Sequence, residues 1–231
     1  MKSAILFVTG SDTGVGKTVL ATLLTRHLLE QGFRVAGLKP ICSGGRGDAL
    51  ALREAAGRIL TLDEVNPWHF RAATAPLLAA RRERRRVRLP EVVAQVQRIA
   101  RQFDVVVVEG AGGLFSPLGE GFDSRDLIRA LRAAPVIVCP DRLGGVNQAM
   151  LVLAALPPKV ARAAPVVLVE PSRRVVAGKG NAEVLAEFIG PNRVHSMPWL
   201  GNGARFGKTH ARHVVRRILE MLARIISPSQ A

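Results

Sequence analysis

Residues 7–18 of the chain read Phe7-Val8-Thr9-Gly10-Ser11-Asp12-Thr13-Gly14-Val15-Gly16-Lys17-Thr18. An apolar strand here runs into a glycine-rich turn that ends in Gly-Lys-Thr, where a helix begins. Glycines let the backbone turn its N–H groups around a phosphate, and the following helix adds the positive end of its dipole. Lys17 supplies a mobile charge and Thr18 a hydroxyl for magnesium. The stretch therefore predicts a site for a nucleoside triphosphate.

The spacing of this loop departs from the usual G-x-x-x-x-G-K-[ST] pattern. Ser11 holds the position of the first glycine, and Gly10 lies one place earlier. A glycine-rich turn can be purely structural. However, residues 18–31 place Leu20, Leu24 and Leu28 on one side, as an amphipathic helix does. A strand before the turn and such a helix after it favour phosphate binding.

The length and composition predict one domain over residues 1–231, because no linker-like stretch divides the chain. Residues 1–10 carry only Lys2 as a charge and lead straight into the loop, which is typical of a first strand rather than a signal peptide. No apolar run reaches the ~18 residues of a membrane span. With only Cys42 and Cys139, a disulfide framework is not expected. These features predict a cytoplasmic protein without a membrane partner.

The net charge of +15, from 33 basic against 18 acidic residues, is typical of proteins that meet nucleic acid. The basic residues are nevertheless scattered, and tyrosine is absent. The one dense run, Arg81-Arg82-Glu83-Arg84-Arg85-Arg86, is followed by no aromatic platform for stacking bases. This run fits either a solvated helix end or a rim that attracts anions. Nucleic acid is therefore not the expected partner.

Apolar segments that fit strands recur along the chain with helical segments between them. They cover residues 4–9, 34–39, 104–109, 135–139, 165–169 and 193–196. This alternation predicts an α/β fold of the P-loop type, with three layers α/β/α and a mostly parallel sheet. A last helix over about 208–226 carries an apolar stripe that fits core packing or, in part, contact with a second subunit. Its members are Val214, Val215, Ile218, Leu219, Leu222 and Ile225.

Several predicted strands end in charged residues. The carboxyl ends of the strands in an open parallel sheet lie along one edge, and ligands bind at that edge. The second strand ends in Lys39, where a lysine is placed to meet an anion. Asp48 starts the next helix, and its carboxylate either caps that helix or binds a metal. The third strand ends in Glu109, and burying this carboxylate requires a cation or hydrogen-bond donors. Together with Thr18, these carboxylates predict magnesium; a structural Glu109 bound by backbone amides is the alternative.

Past the fourth strand, the segment at 143–147 leads into another helix. The N–H groups at such a helix start either bind a carboxylate or stay uncommitted.

Five blocks of sequence, in this order and over about two thirds of the chain, closely resemble the dethiobiotin synthetase family. They are Phe-Val-Thr-Gly-x-Asp-Thr-Gly-Val-Gly-Lys-Thr at 7–18, Lys-Pro-x-x-Ser-Gly at 39–44, Asp-Ala-x-x-Leu at 48–52, Val-Glu-Gly-Ala-Gly-Gly at 108–113 and Leu-Gly-x-x-Asn at 143–147. The longer phosphate loop is also this family's form. Related amidases and partition ATPases share that loop but lack the second and fourth blocks.

The resemblance implies that ATP, carbon dioxide and 7,8-diaminononanoate give dethiobiotin, ADP and phosphate, with Mg²⁺ as the cofactor. Lys39, Lys17 and Thr13 would be catalytic, and Thr18, Asp48 and Glu109 would hold the metal. The nucleotide site would comprise Asp12, Thr13, Gly14, Val15, Gly16, Lys17, Thr18, Glu109, Pro198, Leu200 and Gly201. Ser43 would contact the substrate. The resemblance also implies a homodimer with the substrate site at the interface. The carboxylate of the substrate in the neighbouring subunit would be bound by Gly144, Gly145, Val146 and Asn147.

Two positions depart from the family pattern. Many members have a glutamate where Gly14 stands, so any contact of that side chain is absent. The asparagine that usually reads adenine after the fifth strand is replaced by Val169 or Glu170. A valine cannot supply the paired hydrogen bonds that select a base, which leaves the nucleobase preference open. Residues 198–202 remain candidates for one wall of the base pocket.

Two other classes of protein compete with the synthetase. A partition-type ATPase would bind DNA nonspecifically through its basic surface, but such proteins usually carry a second lysine early in the loop. Here Ser11, Asp12 and Thr13 occupy those positions. An amide-forming ligase acting on a cobalamin-precursor acid would need a glutaminase domain to deliver ammonia, which these residues do not contain.

Overall fold

The computed structural model of the chain describes residues 3–171, 180–200 and 209–224. Its main sheet has six strands, all parallel: β1 (Ala4–Gly10), β2 (Val35–Leu38), β5 (Val105–Glu109), β6 (Ala134–Pro140), β7 (Val166–Val169) and β8 (Val194–Met197). Their spatial order is β2-β5-β1-β6-β7-β8. All six sequence-predicted strands are confirmed, each to within a residue or two at its ends.

Ten helices are described, and the longer ones cover both faces of the sheet. They are α1 (Lys17–Glu30), α2 (Gly47–Ala55), α3 (Leu62–Val65), α4 (Pro76–Arg82), α5 (Leu89–Ala100), α6 (Ser124–Leu131), α7 (Gly145–Ala155), α8 (Pro158–Ala163), α9 (Asn181–Ile189) and α10 (Thr209–Arg224). Helices α1 and α10 pack on one face, and α5, α6, α7 and α9 on the other. The predicted α/β class with its parallel sheet is confirmed.

The valine run of β5 shows why this strand lies in the centre of the fold. Val106 and Val108 pack with the α5 and α6 side, whereas Val105 and Val107 pack with the α1 side. All four are fully buried, as expected of a strand in a parallel sheet that is covered on both faces. Glu109, the next residue, is thereby held at the carboxyl edge of the sheet.

A second, two-stranded sheet was not expected from the sequence. It pairs β3 (Ile41–Ser43) in parallel with β4 (Trp68–Phe70). Neither of these segments is among the predicted strands. Because only two residues separate the end of β2 from the start of β3, β3 fixes the path of the chain immediately beyond Lys39.

Of the two alternatives left open for Asp48, the structure excludes the helix cap. Arg46 holds the cap position of α2, without a side-chain cap hydrogen bond, and Asp48 lies inside the first turn. Asp48 is directed instead to an ion pair with Lys39, described below.

The last helix is confirmed as part of the core. Ile218, Leu219 and Leu222 of α10 are buried in the same cluster as the leucines of α1. The side chains of Val214 and Val215, and all of Ile225, lie outside the described residues. Cys42 and Cys139 are both free and buried. Among the described helices, none is both long and apolar enough to cross a membrane.

Candidate active site

The phosphate loop connects β1 to α1, with its lysine turned inward. Gly16 caps α1 with a φ of 100°, a left-handed conformation that favours glycine. The Lys17 ammonium is buried and donates to the Asp12 carbonyl oxygen at 2.5 Å, across the loop. The Thr13 N–H donates to the Asp12 carboxylate at 2.6 Å. Lys17 therefore lies inside the curve of the loop, where a phosphate would be bound.

Four side chains, two from strand ends and two from the first turns of helices, meet beside this loop. Glu109 Oε1 accepts from the Lys39 ammonium at 2.6 Å and from the Thr18 hydroxyl at 2.8 Å. Lys39 Nζ also lies 3.1 Å from Asp48 Oδ2 and 3.0 Å from the Gly110 carbonyl oxygen. Glu109 and Lys39 are 1% and 5% exposed, whereas Asp48 is 49% exposed. One buried carboxylate therefore links the phosphate loop to the lysine that follows β2.

The two lysines have different electrostatic surroundings. Burial, and secondarily the positive charge of Lys39, lower the pKa of Lys17 to about 8. Burial also acts to lower the pKa of Lys39, but the adjacent Glu109 and Asp48 carboxylates outweigh it and raise that pKa above its usual value. Lys39 is therefore a permanent cation, suited to stabilise an anion and unsuited to act as a base.

The loop after β5 packs directly on the phosphate loop. A side chain at Gly113 would place its Cβ 2.7 Å from the Ser11 carbonyl oxygen, closer than any real contact allows. The Leu114 N–H donates to the Gly10 carbonyl oxygen at 3.0 Å. Ser116 folds back under this turn and accepts from the Gly113 N–H at 2.8 Å. Because of these contacts, the Glu109 segment and the phosphate loop form one surface.

A cavity of about 1250 Å³ opens at this surface and brings together half of the site residues predicted from the sequence. The predicted residues that line it are Thr13, Gly14, Gly16, Lys17, Thr18, Lys39, Ser43, Asp48 and Glu109.

Other predicted residues lie away from the cavity lining. Asp12 is exposed, and Val15 is buried in the core beside α1. Leu200 packs against that same core, and Pro198 lies just beyond β8. Gly144, Gly145, Val146 and Asn147 form the start of α7, outside the cavity of this chain. Gly201 and Asn202 lie outside the described residues.

Several lining residues were missed by the sequence interpretation. Thr74 accepts a hydrogen bond from the Ser43 hydroxyl at 2.5 Å, and Ser116 lies on the opposite loop. Arg26 also lines the cavity. Its position could have been predicted, because Thr18, Thr22 and Arg26 recur every four residues along α1 and therefore share one helix face. Trp199 lines the cavity in place of its neighbours Pro198 and Leu200. No sequence pattern singles out Thr74 or Ser116.

Val169, the residue at the expected adenine-reading position, ends β7 and is only 6% exposed. A Cβ added to Gly16 would lie 3.2 Å from Val169 Cγ2, so the valine packs under the phosphate loop. It offers this loop an apolar support and no hydrogen bond. Glu170, the other candidate, is exposed.

The arginine run at 81–86 begins in the last turn of α4 and continues beyond it, with every arginine exposed. Arg81 pairs with Glu120 at 2.9 Å, and Arg85 lies over the Phe70 ring at 4.8 Å. This arrangement fits the solvated helix end.

A strand, a glycine-rich loop holding a buried lysine, and a helix at the carboxyl edge of a parallel sheet define the class of P-loop nucleotide-binding proteins. The family model described as "AAA domain" matches residues 5–202. The chain is also similar to curated proteins named ATP-dependent dethiobiotin synthetase BioD. The chain therefore belongs to the dethiobiotin synthetase family, as the sequence blocks indicated.

Three of these curated relatives come from different bacteria. The Akkermansia muciniphila protein is 40% identical over 149 residues, which cover 64% of this chain and 70% of that one. The Xylella fastidiosa (strain M12) protein is 40% identical over 164 residues, covering 68% and 73%. The Anaeromyxobacter dehalogenans (strain 2CP-C) protein is 43% identical over 155 residues, covering 65% and 70%. These names favour the synthetase over a DNA-binding partition ATPase.

Solved structures support the fold alone. The cell division ATPase MinD of Pyrococcus furiosus has a TM-score of 0.60 at 16% identity, with 97% of this chain and 100% of that chain covered. The hydrogenase maturation factor HypB of Archaeoglobus fulgidus has a TM-score of 0.58 at 14% identity, covering 98% and 91%.

Proposed function

We propose that this chain is an ATP-dependent dethiobiotin synthetase, a cyclo-ligase that closes a urea ring on 7,8-diaminononanoate with carbon dioxide. The observation that carries the proposal is the shared carboxylate Glu109, which accepts from Thr18 of the phosphate loop and from Lys39. This contact joins a phosphate-binding half to a second cationic half within one cavity. The names of the curated relatives supply the product, dethiobiotin, and the ATP dependence.

The first step forms a carbamate. One substrate amine attacks carbon dioxide and loses a proton, so that a neutral amine becomes an anionic carbamate. Lys39 is the residue suited to stabilise this anion, because its raised pKa keeps it charged and its ammonium lines the cavity. Ser43 and Thr13, which line the same cavity, would orient the substrate beside it.

The second step transfers a phosphoryl group. A carbamate oxygen attacks the γ-phosphorus and the bond to the β-phosphate oxygen breaks, which gives a carbamic–phosphoric anhydride and ADP. Lys17 would bind the phosphoryl oxygens, since its ammonium lies inside the loop and is charged at neutral pH. The backbone N–H groups of the loop would hold the remaining phosphates. Catalysis here consists of positioning and charge stabilisation.

The residues beside the loop fit a magnesium ion. Glu109 Oε2 is buried and has no hydrogen-bond partner among the residues that the structure describes, and Asp48 and Thr18 line the same cavity. No cluster of three or more His, Cys, Asp or Glu side chains occurs within the described ranges, so phosphate oxygens and water would complete the coordination, as magnesium prefers. When bound, Mg²⁺ neutralises charge on the phosphates.

In the last step the second amine attacks the carbonyl carbon of the anhydride. The carbon–oxygen bond to phosphate breaks, phosphate leaves, and the amine proton is released as the ring closes. Lys17 and Lys39 are the cations placed to stabilise the departing phosphate and the oxygen of the tetrahedral intermediate.

A homodimer would complete the substrate site. The start of α7, with Gly144 to bind a carboxylate through its backbone and Asn147 through its side chain, lies outside the cavity of its own chain. Leu143, which precedes this helix start, is 78% exposed, and Leu151 of α7 and Phe188 of α9 are 62% and 67% exposed. Exposed apolar side chains on these neighbouring helices support contact with a second copy.

The direct test is product analysis. The purified protein is incubated with diaminononanoate, bicarbonate, Mg²⁺ and each common triphosphate in turn. Dethiobiotin is expected, together with ADP when ATP is used. Because Val169 packs under the loop without offering a hydrogen bond, turnover with several nucleobases is expected. A rate of triphosphate hydrolysis that does not depend on the diamine, together with tight and salt-sensitive binding of duplex DNA, would refute the synthetase. That result would favour the partition ATPase.

A further inference from the structure

Asn66 lies outside the cavity, between α3 and β4, and is 1% exposed. Its side-chain amide is engaged on both sides. Asn66 Nδ2 donates to the Lys39 carbonyl oxygen at 2.7 Å. Its Oδ1 accepts from Arg46 Nε at 3.1 Å and from the Cys42 thiol at 3.2 Å. A buried amide with both ends satisfied has a fixed position, since releasing it would leave unpaired polar groups in the core.

The segment that contains Asn66 holds the backbone of Lys39 from both sides. The Lys39 N–H donates to the Val65 carbonyl oxygen at 3.0 Å, and the Lys39 carbonyl accepts from Asn66. Lys39 is the first residue after β2, which ends at Leu38 together with its pairing to β5. These two hydrogen bonds therefore hold the backbone where the main sheet no longer does. The backbone from which the Lys39 side chain projects therefore depends on residues 65 and 66.

The same amide also reaches the helix that carries Asp48. Arg46 caps α2 and donates to Asn66 Oδ1, to the Asn66 carbonyl oxygen at 2.9 Å and to the Leu62 carbonyl oxygen at 3.0 Å. Asp48 follows two residues later and lies 3.1 Å from Lys39 Nζ. Asn66 thus joins the two backbone segments that bring the ammonium and its exposed carboxylate partner together.

We propose that Asn66 is a positioning residue for the reaction: it sets the place of the Lys39 ammonium relative to Glu109 and Asp48. The inference rests on the proposed function for its effect on turnover. Within the described part of the chain, the Asn66 side chain bonds to Lys39, Pro40, Cys42 and Arg46 and not to the phosphate loop, so its effect is confined to the lysine half of the site. A misplacement of about 1 Å at a catalytic group can cost about 10²-fold in rate.

The test compares Asn66→Ala with Gln95→Ala. Gln95 Nε2 donates to the Glu64 carbonyl oxygen at 2.7 Å, so the control removes a hydrogen bond of equal length from the same segment without touching Lys39. We expect Asn66→Ala to lower kcat by roughly 10- to 100-fold while the nucleotide Kd stays within about threefold of wild type. Gln95→Ala should keep both values. If Asn66→Ala does not fold, Asn66→Ser, which supplies a shorter hydroxyl donor in place of the amide, is used instead.

A second readout does not require activity. Lysine labelling by an amine-reactive reagent is followed by peptide mass spectrometry, with Lys17 as the internal reference. In Asn66→Ala, Lys39 should be labelled at least about tenfold faster than in wild type, because its backbone opens locally, while Lys17 keeps its rate. Unchanged labelling and unchanged kcat would overturn the inference. If the wild-type protein makes no dethiobiotin but Asn66→Ala still labels Lys39 faster, the positioning role is supported and the proposed function is refuted.

Discussion

Replacing Lys39 by methionine should separate the structural and the catalytic contributions of this lysine. Its ammonium is 2.6 Å from Glu109 Oε1 and 5% exposed, and the carboxylate is 1% exposed. Removing the cation leaves Glu109 with the Thr18 hydroxyl as its one hydrogen-bond donor within the described residues. Breaking a buried ion pair from one side costs about 3–5 kcal/mol. We expect the lower end of this range for Lys39→Met, since the Thr18 hydrogen bond remains.

The double variant Lys39→Met/Glu109→Gln removes both charges and no longer buries an unpaired carboxylate. Its free energy of unfolding should exceed the value expected from adding the two single losses by about 2 kcal/mol. Turnover should nevertheless stay at least about 10²-fold below wild type in both Lys39 variants, because the carbamate has lost its cation. The affinity of Lys39→Met for the triphosphate should be largely intact, since Lys17 and the loop are unchanged.

The cycle compares the wild type, Lys39→Met, Glu109→Gln and the double variant. Urea unfolding followed by circular dichroism measures the stability of each protein, and dethiobiotin formation measures its turnover rate. The exposed pair Arg34–Asp104, at 2.7 Å with side chains 69% and 41% exposed, provides a control cycle that should show much weaker coupling. The reasoning fails if the double variant regains turnover along with its stability. A coupling between Lys39 and Glu109 no larger than that of the surface pair would also contradict it.

Three further variants test other parts of the structure. Lys17→Ala should weaken triphosphate binding, and calorimetry that finds unaltered affinity would count against the phosphate loop. Gly113→Ala should cost about 1–3 kcal/mol through its contact with the Ser11 carbonyl, whereas Gly45→Ala, where an added Cβ meets nothing, should be neutral by thermal unfolding. Burial lowers the pKa of His195, so the imidazole binds a proton more readily in the unfolded chain than in the native state. The free energy of unfolding should therefore fall as the pH drops below about 6.5. His195→Leu should flatten that pH dependence of urea midpoints.

The strand ends could be predicted from the sequence because a parallel sheet brings the carboxyl ends of its strands to one edge. Lys39, Glu109 and the phosphate loop meet there as expected. The two-stranded sheet could not be predicted, because Ile41 pairs with Trp68 across two intervening helices. Three-residue strands are too short to show a period.

The hydrogen-bond partners of single polar residues were also beyond the sequence. The position of Asp48 near a helix start is compatible with a cap or with a ligand. The structure decides against the cap, because Arg46 holds the cap position and Asp48 pairs with Lys39. Asn66 precedes a proline, a pairing typical of any turn, and nothing in its neighbours indicates contact with Lys39. Such contacts depend on segments that are distant in the chain.

The central claim, that the nucleotide phosphorylates a carbamate, is tested most directly by following an oxygen atom. The protein is mixed briefly with ¹⁸O-labelled carbon dioxide, diaminononanoate, Mg²⁺ and ATP, and the released phosphate is analysed by mass spectrometry. Because a carbamate oxygen attacks the γ-phosphorus and leaves with it, one labelled oxygen should appear in the phosphate for each dethiobiotin formed. Phosphate that carries no label, formed alongside dethiobiotin, would contradict the account.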